Sequence, residues 1–262
     1  MILAVDIGNS TVVMGLINNS ELIASRKTVT DISELEVNYK EEIKTLLKSH
    51  SISESKIEGA IISSVVPLLT DILKEAVSDI FKLEPITVNS ESITGIEIIT
   101  DNPSQLGSDR IADAAAGINE YGAPLVIIDM GTATTVSVIN PQNQFLGGLI
   151  LPGVRTSLNS LINNTSQLPR IKLGTPSERI IGTNTVSSIE NGIVYGTAAQ
   201  IDGLIQRISD ELDFDPKIIA TGGNAGAVIP YCKSKIIYDK NLLLKGLYII
   251  SVSYTHLRAH ET

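Results

Sequence analysis

Four short stretches combine acids, glycines and hydroxyls in patterns suited to handling phosphate. Asp6-Ile7-Gly8-Asn9-Ser10-Thr11-Val12-Val13 closes the apolar run Leu3-Ala4-Val5. Asp129-Met130-Gly131-Thr132-Ala133-Thr134-Thr135 closes Val126-Ile127-Ile128. Each reads as strand, tight turn, strand. Glycine admits positive φ and lets a polyanion approach the main chain. The N–H groups of such a turn can donate to phosphate oxygens. A carboxylate repels a phosphate, so Asp6 and Asp129 each need a cation or a water in between. Laid over each other at an offset of 123 residues (129 − 6), the stretches match at Asp6/Asp129, Gly8/Gly131, Thr11/Thr134 and Val13/Val136. Asp-x-Gly is common at strand ends, so the match stands between a chance repeat and a true duplication. As a duplication it suggests a nucleotide held in a cleft between two halves.

The third stretch is Gly107-Ser108-Asp109-Arg110. A carboxylate beside a guanidinium suits a general base next to an anion clamp, because arginine binds a carboxylate in a planar, bidentate way. The bland alternative is an ion pair on a helix surface. Asp113 lies one turn further on. It reads as a rival base, as a like charge acting on Asp109, or most simply as a solvated acid. The fourth stretch, Thr221-Gly222-Gly223-Asn224, follows the apolar Ile218-Ile219-Ala220 and could let a ring or phosphate pack on the backbone; an ordinary strand-to-helix turn has the same look. Gly147-Gly148 and Pro152-Gly153 would bring main-chain donors to the cleft. Thr185, after Gly182-Thr183-Asn184, could cap a helix or offer its hydroxyl to a substrate. No Gly-x4-Gly-Lys-Ser/Thr loop and no Gly-x-Ser-x-Gly elbow occurs in the sequence. Phosphoryl transfer needs positioning and charge neutralisation more than covalent chemistry, and these residues are sufficient for it.

The elements that must position them follow from periodicity. Residues 2–6, 12–17 and 21–28 predict three strands, with Asn18-Asn19 as a hairpin turn. Ser33 to Ser49 predicts a helix with Leu35, Ile43, Leu46 and Leu47 on one face. A buried strand over 59–63 leads to a helix opened by Pro67, then a strand over 85–88. Asn102-Pro103 starts a helix after an irregular turn, and Ala112, Ala114, Ala115 and Ala116 give it a face that allows close packing. The second half repeats the order: strands at 125–130, 134–139 and 144–150, helices from Gly153 and near 187–211, strand 217–220, a helix after Gly223, strand 235–238 and a last helix from Leu242. This is an α/β protein with a mixed sheet in each half. The expected division is 1–115, 116–250 and a tail over 251–262, whose composition shifts abruptly and which reads as non-native.

Composition narrows the function. The chain has 262 residues, 43% hydrophobic, with a net charge of −9, which argues against a nucleic-acid surface built on clustered lysine and arginine. Cys232 is the only cysteine, which excludes a disulfide framework and a thiolate metal site, and the three scattered histidines argue against a histidine site for a transition metal. No signal-like start and no run long enough to span a bilayer is visible; the expectation is a cytoplasmic protein without membrane contact.

Taken together, Asp6-Ile7-Gly8-Asn9-Ser10, Gly107-Ser108-Asp109-Arg110, Asp129-x-Gly131-Thr132-Ala133-Thr134-Thr135, Gly147-Gly148 with Pro152-Gly153, Asn184-Thr185 and Thr221-Gly222-Gly223 occur in the order and spacing of the type III pantothenate kinases. The chain resembles that family from residue 1 to about 250. The resemblance implies duplicated actin-like, ribonuclease H-like domains with the active site in the cleft between them. It implies transfer of the ATP γ-phosphate to pantothenate, the first step of coenzyme A synthesis. On that resemblance Asp109 is the general base; Gly107, Ser108, Arg110, Thr185 and the position of Thr100 serve pantothenate; Asp6, Ile7, Gly8, Asn9, Ser10, Thr11, Val12, Val13 and Thr132 serve ATP. Asp129 is the ligand of a monovalent cation, potassium or ammonium, required beside magnesium. Family members are homodimers. Departures are Thr100 where tyrosine is usual, Asp113 for asparagine, Ser108 for alanine and Ser10 for threonine; the last dozen residues match nothing in the pattern. Two rival readings remain: a kinase for another small hydroxylated acceptor, motivated by Thr100, and a non-catalytic nucleotide-binding regulator of the same fold.

Overall fold

The computed structural model describes residues 1–30, 37–92 and 94–260. The chain packs into two compact units, Met1–Glu120 with Leu242–Thr262, and Tyr121–Asn241.

The first unit holds strands β1 (Ile2–Ile7), β2 (Thr11–Asn18), β3 (Glu21–Val29), β4 (Gly59–Ser64) and β5 (Ile86–Thr87), followed in the chain by the short β6 (Glu97–Ile98). The sheet order is β3-β2-β1-β4-β5. β1–β2 and β2–β3 pair antiparallel; β1–β4 and β4–β5 pair parallel. The β2–β3 turn is made by Asn19 and Ser20, both at positive φ, the conformation that a two-residue hairpin following the strand twist requires.

β1 alternates between two buried faces, as a strand covered on both sides must. Leu3, Val5 and Ile7 pack with α1 (Val37–Ser49) through Tyr39, Ile43 and Leu46, and with α2 (Pro67–Phe81) through Leu69 and Leu73. The expected start of the first helix at Ser33, with Leu35, lies outside the described residues. Pro67 sits in the first turn of α2, where its missing N–H is no loss. Ala4 and Ile61 face the other way, toward Ile111, Ala112 and Ala115 of α3 (Ser108–Tyr121) and Leu244, Leu247 and Ile250 of α7 (Leu242–His260). The alanine face of α3 lets α7 come so close that a Cβ on Gly246 would lie 1.8 Å from Ala112 O. α7 continues into the stretch from Ser251, which is itself buried, and Tyr254 packs against the same cluster.

The second unit holds β7 (Leu125–Met130), β8 (Ala133–Ile139), β9 (Gln144–Pro152), β10 (Lys217–Thr221) and β11 (Ile237–Tyr238), with α4 (Val154–Asn163), α5 (Thr185–Glu211) and the short α6 (Ala225–Val228). Its strands follow the order β9-β8-β7-β10-β11. Each strand has the neighbour and direction of its counterpart in the first unit, so the duplication is one of topology. Val126, Ile128 and Met130 bury against Ala198, Ile201 and Ile205 of α5.

The two hairpins differ by one residue. Asp6 pairs with Val13 across β1–β2, whereas Asp129 pairs with Thr135 across β7–β8. The second turn is one residue shorter, so beyond it the structural offset is 122 (135 − 13) rather than 123. Thr11 corresponds to Ala133 and Val13 to Thr135; the sequence matches Thr11/Thr134 and Val13/Val136 join residues on opposite faces, because a one-residue slip reverses every side chain in a strand. Among the described residues no helix is long and apolar enough to cross a membrane.

Candidate functional site

In the first unit Asp6 is the second-to-last residue of β1, in register with Val13 on one side and Ser63 of β4 on the other. Ser63 Oγ donates to Asp6 Oδ1 at 3.0 Å. The turn beyond is closed by Gly8 N to Thr11 O at 3.0 Å. It is anchored from β3's end by Thr30, whose Oγ1 donates to Gly8 O at 2.6 Å and whose N–H donates to Ser10 O at 3.1 Å. Asn9 and Ser10 are exposed, while the side chains of Ile7 and Val12 are fully buried.

Gly107 and the first turn of α3 shape the second group. Asp109 Oδ1 accepts the N–H of Arg110 at 2.8 Å. The carboxylate folds back over Gly107, where a Cβ would lie only 2.4 Å from Asp109 Oδ1. Arg110 is half-buried. Burial pushes its pKa down, and the charges of Asp109 and Asp113 oppose that shift. This is not a surface ion pair. Asp113 is not a solvated acid either: it is 2% exposed. It lies on the covered side of α3, the same side as Ala112 and Ala116, where helix periodicity alone does not reveal the cover. Ser108 is buried as well, its hydroxyl turned to β4 and accepting the N–H of Ser64 at 2.9 Å. Thr100 Oγ1 is buried and has no hydrogen-bond partner among the described residues; such an orphan in a folded protein calls for a ligand or water.

In the second unit Thr135, Asp129 and Thr221 lie abreast on one face, as cross-strand partners of β8, β7 and β10. The Asp129 carboxylate rests against the turn after β10, where a Cβ on Gly222 would lie 2.2 Å from Asp129 Oδ1 and 2.6 Å from Met130 N. Gly222 also has φ +91, a conformation only glycine takes without strain. Asn224 knits the two turns together, its N–H donating to Met130 O and its Nδ2 to Gly131 O, both at 3.0 Å. Thr132 is exposed, and its carbonyl accepts from Gly153 N at 3.1 Å and Thr156 Oγ1 at 2.7 Å. Thr134 is buried, and its hydroxyl has no hydrogen-bond partner among the described residues. Gly147 and Gly148 lie within β9, paired with Val138 and Ser137.

These donor sets fit hard cations. No three His, Cys, Asp or Glu side chains gather as a metal group among the described residues. Magnesium is commonly held by one or two carboxylates plus phosphates and water rather than by an all-protein cage, and Asp6 beside the Gly8 turn meets that description. Asp129, with Thr135 and Thr221 as its cross-strand partners and the Gly222 turn against its carboxylate, offers an oxygen ligand of the kind hard cations take.

α5 begins differently from expectation. Its N-cap is Asn184, whose Oδ1 accepts the N–H of Ser187 at 3.0 Å in a reciprocal capping box. Thr185 is the first helical residue, exposed, with its hydroxyl not used as the cap. An open cavity of about 680 Å³ lies here, lined by Leu161, Gly182, Thr183, Thr185, Ser188 and Ile189. The loop before the helix is fastened by Asn191, whose Nδ2 donates to Ser177 Oγ (2.7 Å) and Arg179 O (2.8 Å) and whose Oδ1 accepts the N–H of Ser177 (2.9 Å). Asn191 and Ser63 escaped the sequence reading. Asn191 left a signal, since it occupies the apolar stripe Ile189, Val194, Ala198, Ile201 of α5 where an amide is out of place. Ser63 left none, because its pairing with Asp6 depends on the β1–β4 register.

The family model described as type III pantothenate kinase matches residues 2–207. A solved Campylobacter jejuni protein named for the Baf family of transcriptional activators shares 20% identity, with 97% of this chain and 99% of that chain covered and a TM-score of 0.58. The activator of 2-hydroxyisocaproyl-CoA dehydratase from Clostridium difficile, solved with bound ADPNP, shares 13% identity over 98% and 97% of the two chains, TM-score 0.58. A Porphyromonas gingivalis protein named as an N-acetylglucosamine kinase shares 13% over 97% and 99%, TM-score 0.55. At these identities the solved structures bear on the fold, which is theirs.

Proposed function

This chain belongs to the type III pantothenate kinase family, and from that premise we propose that it transfers the terminal phosphoryl group of ATP to the primary hydroxyl of pantothenate. The observation that carries the reading is the first turn of α3. There Asp109 is held by its own helix N–H over a glycine that leaves room for nothing larger, beside a half-buried arginine. In the proposed reaction the acceptor hydroxyl gives its proton to Asp109. Its oxygen bonds to the γ-phosphorus as the bond to the bridging oxygen breaks, and ADP leaves. Arg110 takes the acceptor carboxylate as a planar pair. Gly107 and Ser108 contribute main-chain contacts, since the Ser108 hydroxyl is engaged with β4. Thr185 and the buried Thr100 hydroxyl complete the acceptor site. Residues 6–13 and Thr132 hold the nucleotide phosphates. What a divalent cation beside Asp6 and a monovalent cation beside Asp129 supply is neutralisation of phosphate charge. A homodimer in the cytoplasm belongs to the same reading.

One observation favours a variant of it. The unbonded Thr100 hydroxyl stands where the family pattern expects tyrosine, so a different small hydroxylated acceptor is the second reading. A panel of acceptors assayed for ADP release separates the two. Pantothenate giving the highest kcat/KM supports the first; a clear preference for another acceptor supports the second.

A further inference from the structure

Two buried hydroxyls connect Asp6 to the helix that carries Asp109. Ser63 Oγ donates to Asp6 Oδ1 at 3.0 Å, and Ser108 Oγ lies 3.0 Å from Ser63 Oγ. The backbone of β4 reaches Ser108 twice: Ser64 N–H donates to its Oγ at 2.9 Å, and Ser64 O lies 3.1 Å from it. The ends of this chain set its direction. An ionised carboxylate only accepts, so the Ser63 proton points to Asp6. Ser63 then offers Ser108 lone pairs alone, and Ser108 is the donor in the contact between them. The single Ser108 proton has two acceptors in reach, Ser63 Oγ and Ser64 O, and its lone pair takes the Ser64 N–H in either case. Ser63 is fully buried and Ser108 is 6% exposed. Buried hydroxyls are destabilising unless bonded, and here both are: Ser63 donates to Asp6, and Ser108 accepts the Ser64 N–H and donates to Ser63 Oγ or Ser64 O.

The second unit offers an independent comparison. Thr221 ends β10 in the register with Asp129 that Ser63 holds with Asp6 on β4. A buried hydroxyl residue therefore stands in register with the strand acid in both units.

We propose that Ser63 and Ser108 are positioning residues of the phosphate site. They hold the Asp6 carboxylate in one orientation and fasten it to the first turn of α3, so that the acid of the phosphate turn and the Asp109–Arg110 pair move as one piece. Ser63 acts directly on Asp6; Ser108 acts through Ser63. The inference rests on the kinase reading, in which Asp6 faces the divalent cation of the bound nucleotide.

The test uses the full chain and the variants Ser63→Ala, Ser108→Ala, the double variant and Ser63→Thr, the last chosen because threonine fills the matching place beside Asp129. Calorimetry measures the affinity for a non-hydrolysable ATP analogue with magnesium and with EDTA. Steady-state kinetics measure KM for ATP and for pantothenate. Losing a hydrogen bond to a charged group predicts about a tenfold loss of magnesium-dependent nucleotide affinity in Ser63→Ala. The metal-free affinity and the pantothenate KM stay within about twofold on the same account. Ser108→Ala shows a smaller loss of the same kind, and the double variant is no worse than Ser63→Ala, because groups acting in series are not additive. Ser63→Thr recovers most of the affinity. Unchanged magnesium-dependent affinity in Ser63→Ala overturns the inference, as does an equal loss with EDTA that Ser63→Thr leaves uncorrected. Wild-type protein that shows the Ser63 dependence but makes no phosphopantothenate overturns the kinase reading and leaves the positioning role intact. Turnover with all variants alike does the reverse.

Discussion

At the residue scale the account turns on carboxylates whose orientation is imposed by neighbouring glycines. Gly107→Ala would place a Cβ 2.4 Å from Asp109 Oδ1. The carboxylate must then swing away, and a displacement of this order predicts a fall in kcat of about 10²-fold with nucleotide affinity unchanged, read by steady-state kinetics beside an ATP-binding titration. Gly222→Ala meets both a positive φ and the Asp129 carboxylate. It should destabilise the protein by about 1–3 kcal/mol, seen in chemical denaturation, and abolish any activation by potassium. The Asp109–Arg110 pair after Gly107 was visible in the sequence, but its half-buried setting was not, because an ion pair on a helix surface uses the same residues. The burial of Asp113 was not legible: which side of a helix is covered is decided by tertiary packing, and α7, which packs on the neighbouring Ala112, lies more than a hundred residues away in the chain.

At the element scale, strands were legible wherever apolar residues alternate or cluster between turn formers, as in β1, β2, β7 and β8. The register between strands was not. A glycine turn of two residues and one of three look alike in sequence, yet the difference moves Thr134 from a phosphate-facing candidate to a buried, unbonded hydroxyl. The start of α5 shows the same limit at its cap, where Thr185 was the expected capping residue and the backbone places the cap one residue earlier, at Asn184. Asn184→Ala should cost about 1 kcal/mol of stability, the usual worth of an N-cap. Asn191→Ala should cost more, about 1–3 kcal/mol, since it leaves buried partners unsatisfied. Limited proteolysis should show faster cleavage between Ser177 and Ile181 in Asn191→Ala than in Asn184→Ala.

At the scale of the whole molecule, two units share one strand order, and the final helix belongs with the first unit although it follows the second in sequence. Stability at high pH has an identifiable contributor in the second unit. Burial, with the Asp202 charge adding to it, pushes the Cys232 thiol up from 9.0 to about 11. A group whose folded pKa is raised stabilises the fold below its unfolded pKa, and that contribution is lost as pH rises toward the folded value. Unfolding midpoints should therefore drop between pH 9 and about 11, and Cys232→Ala should flatten that limb. The most direct measurement of the central claim is phosphorus NMR of wild-type protein and Asp109→Asn with ATP, magnesium, potassium and pantothenate. 4'-Phosphopantothenate is expected from the wild type, at a rate about 10²–10⁴-fold lower in the variant; wild-type turnover no greater than that of Asp109→Asn would contradict the assignment of Asp109 as base.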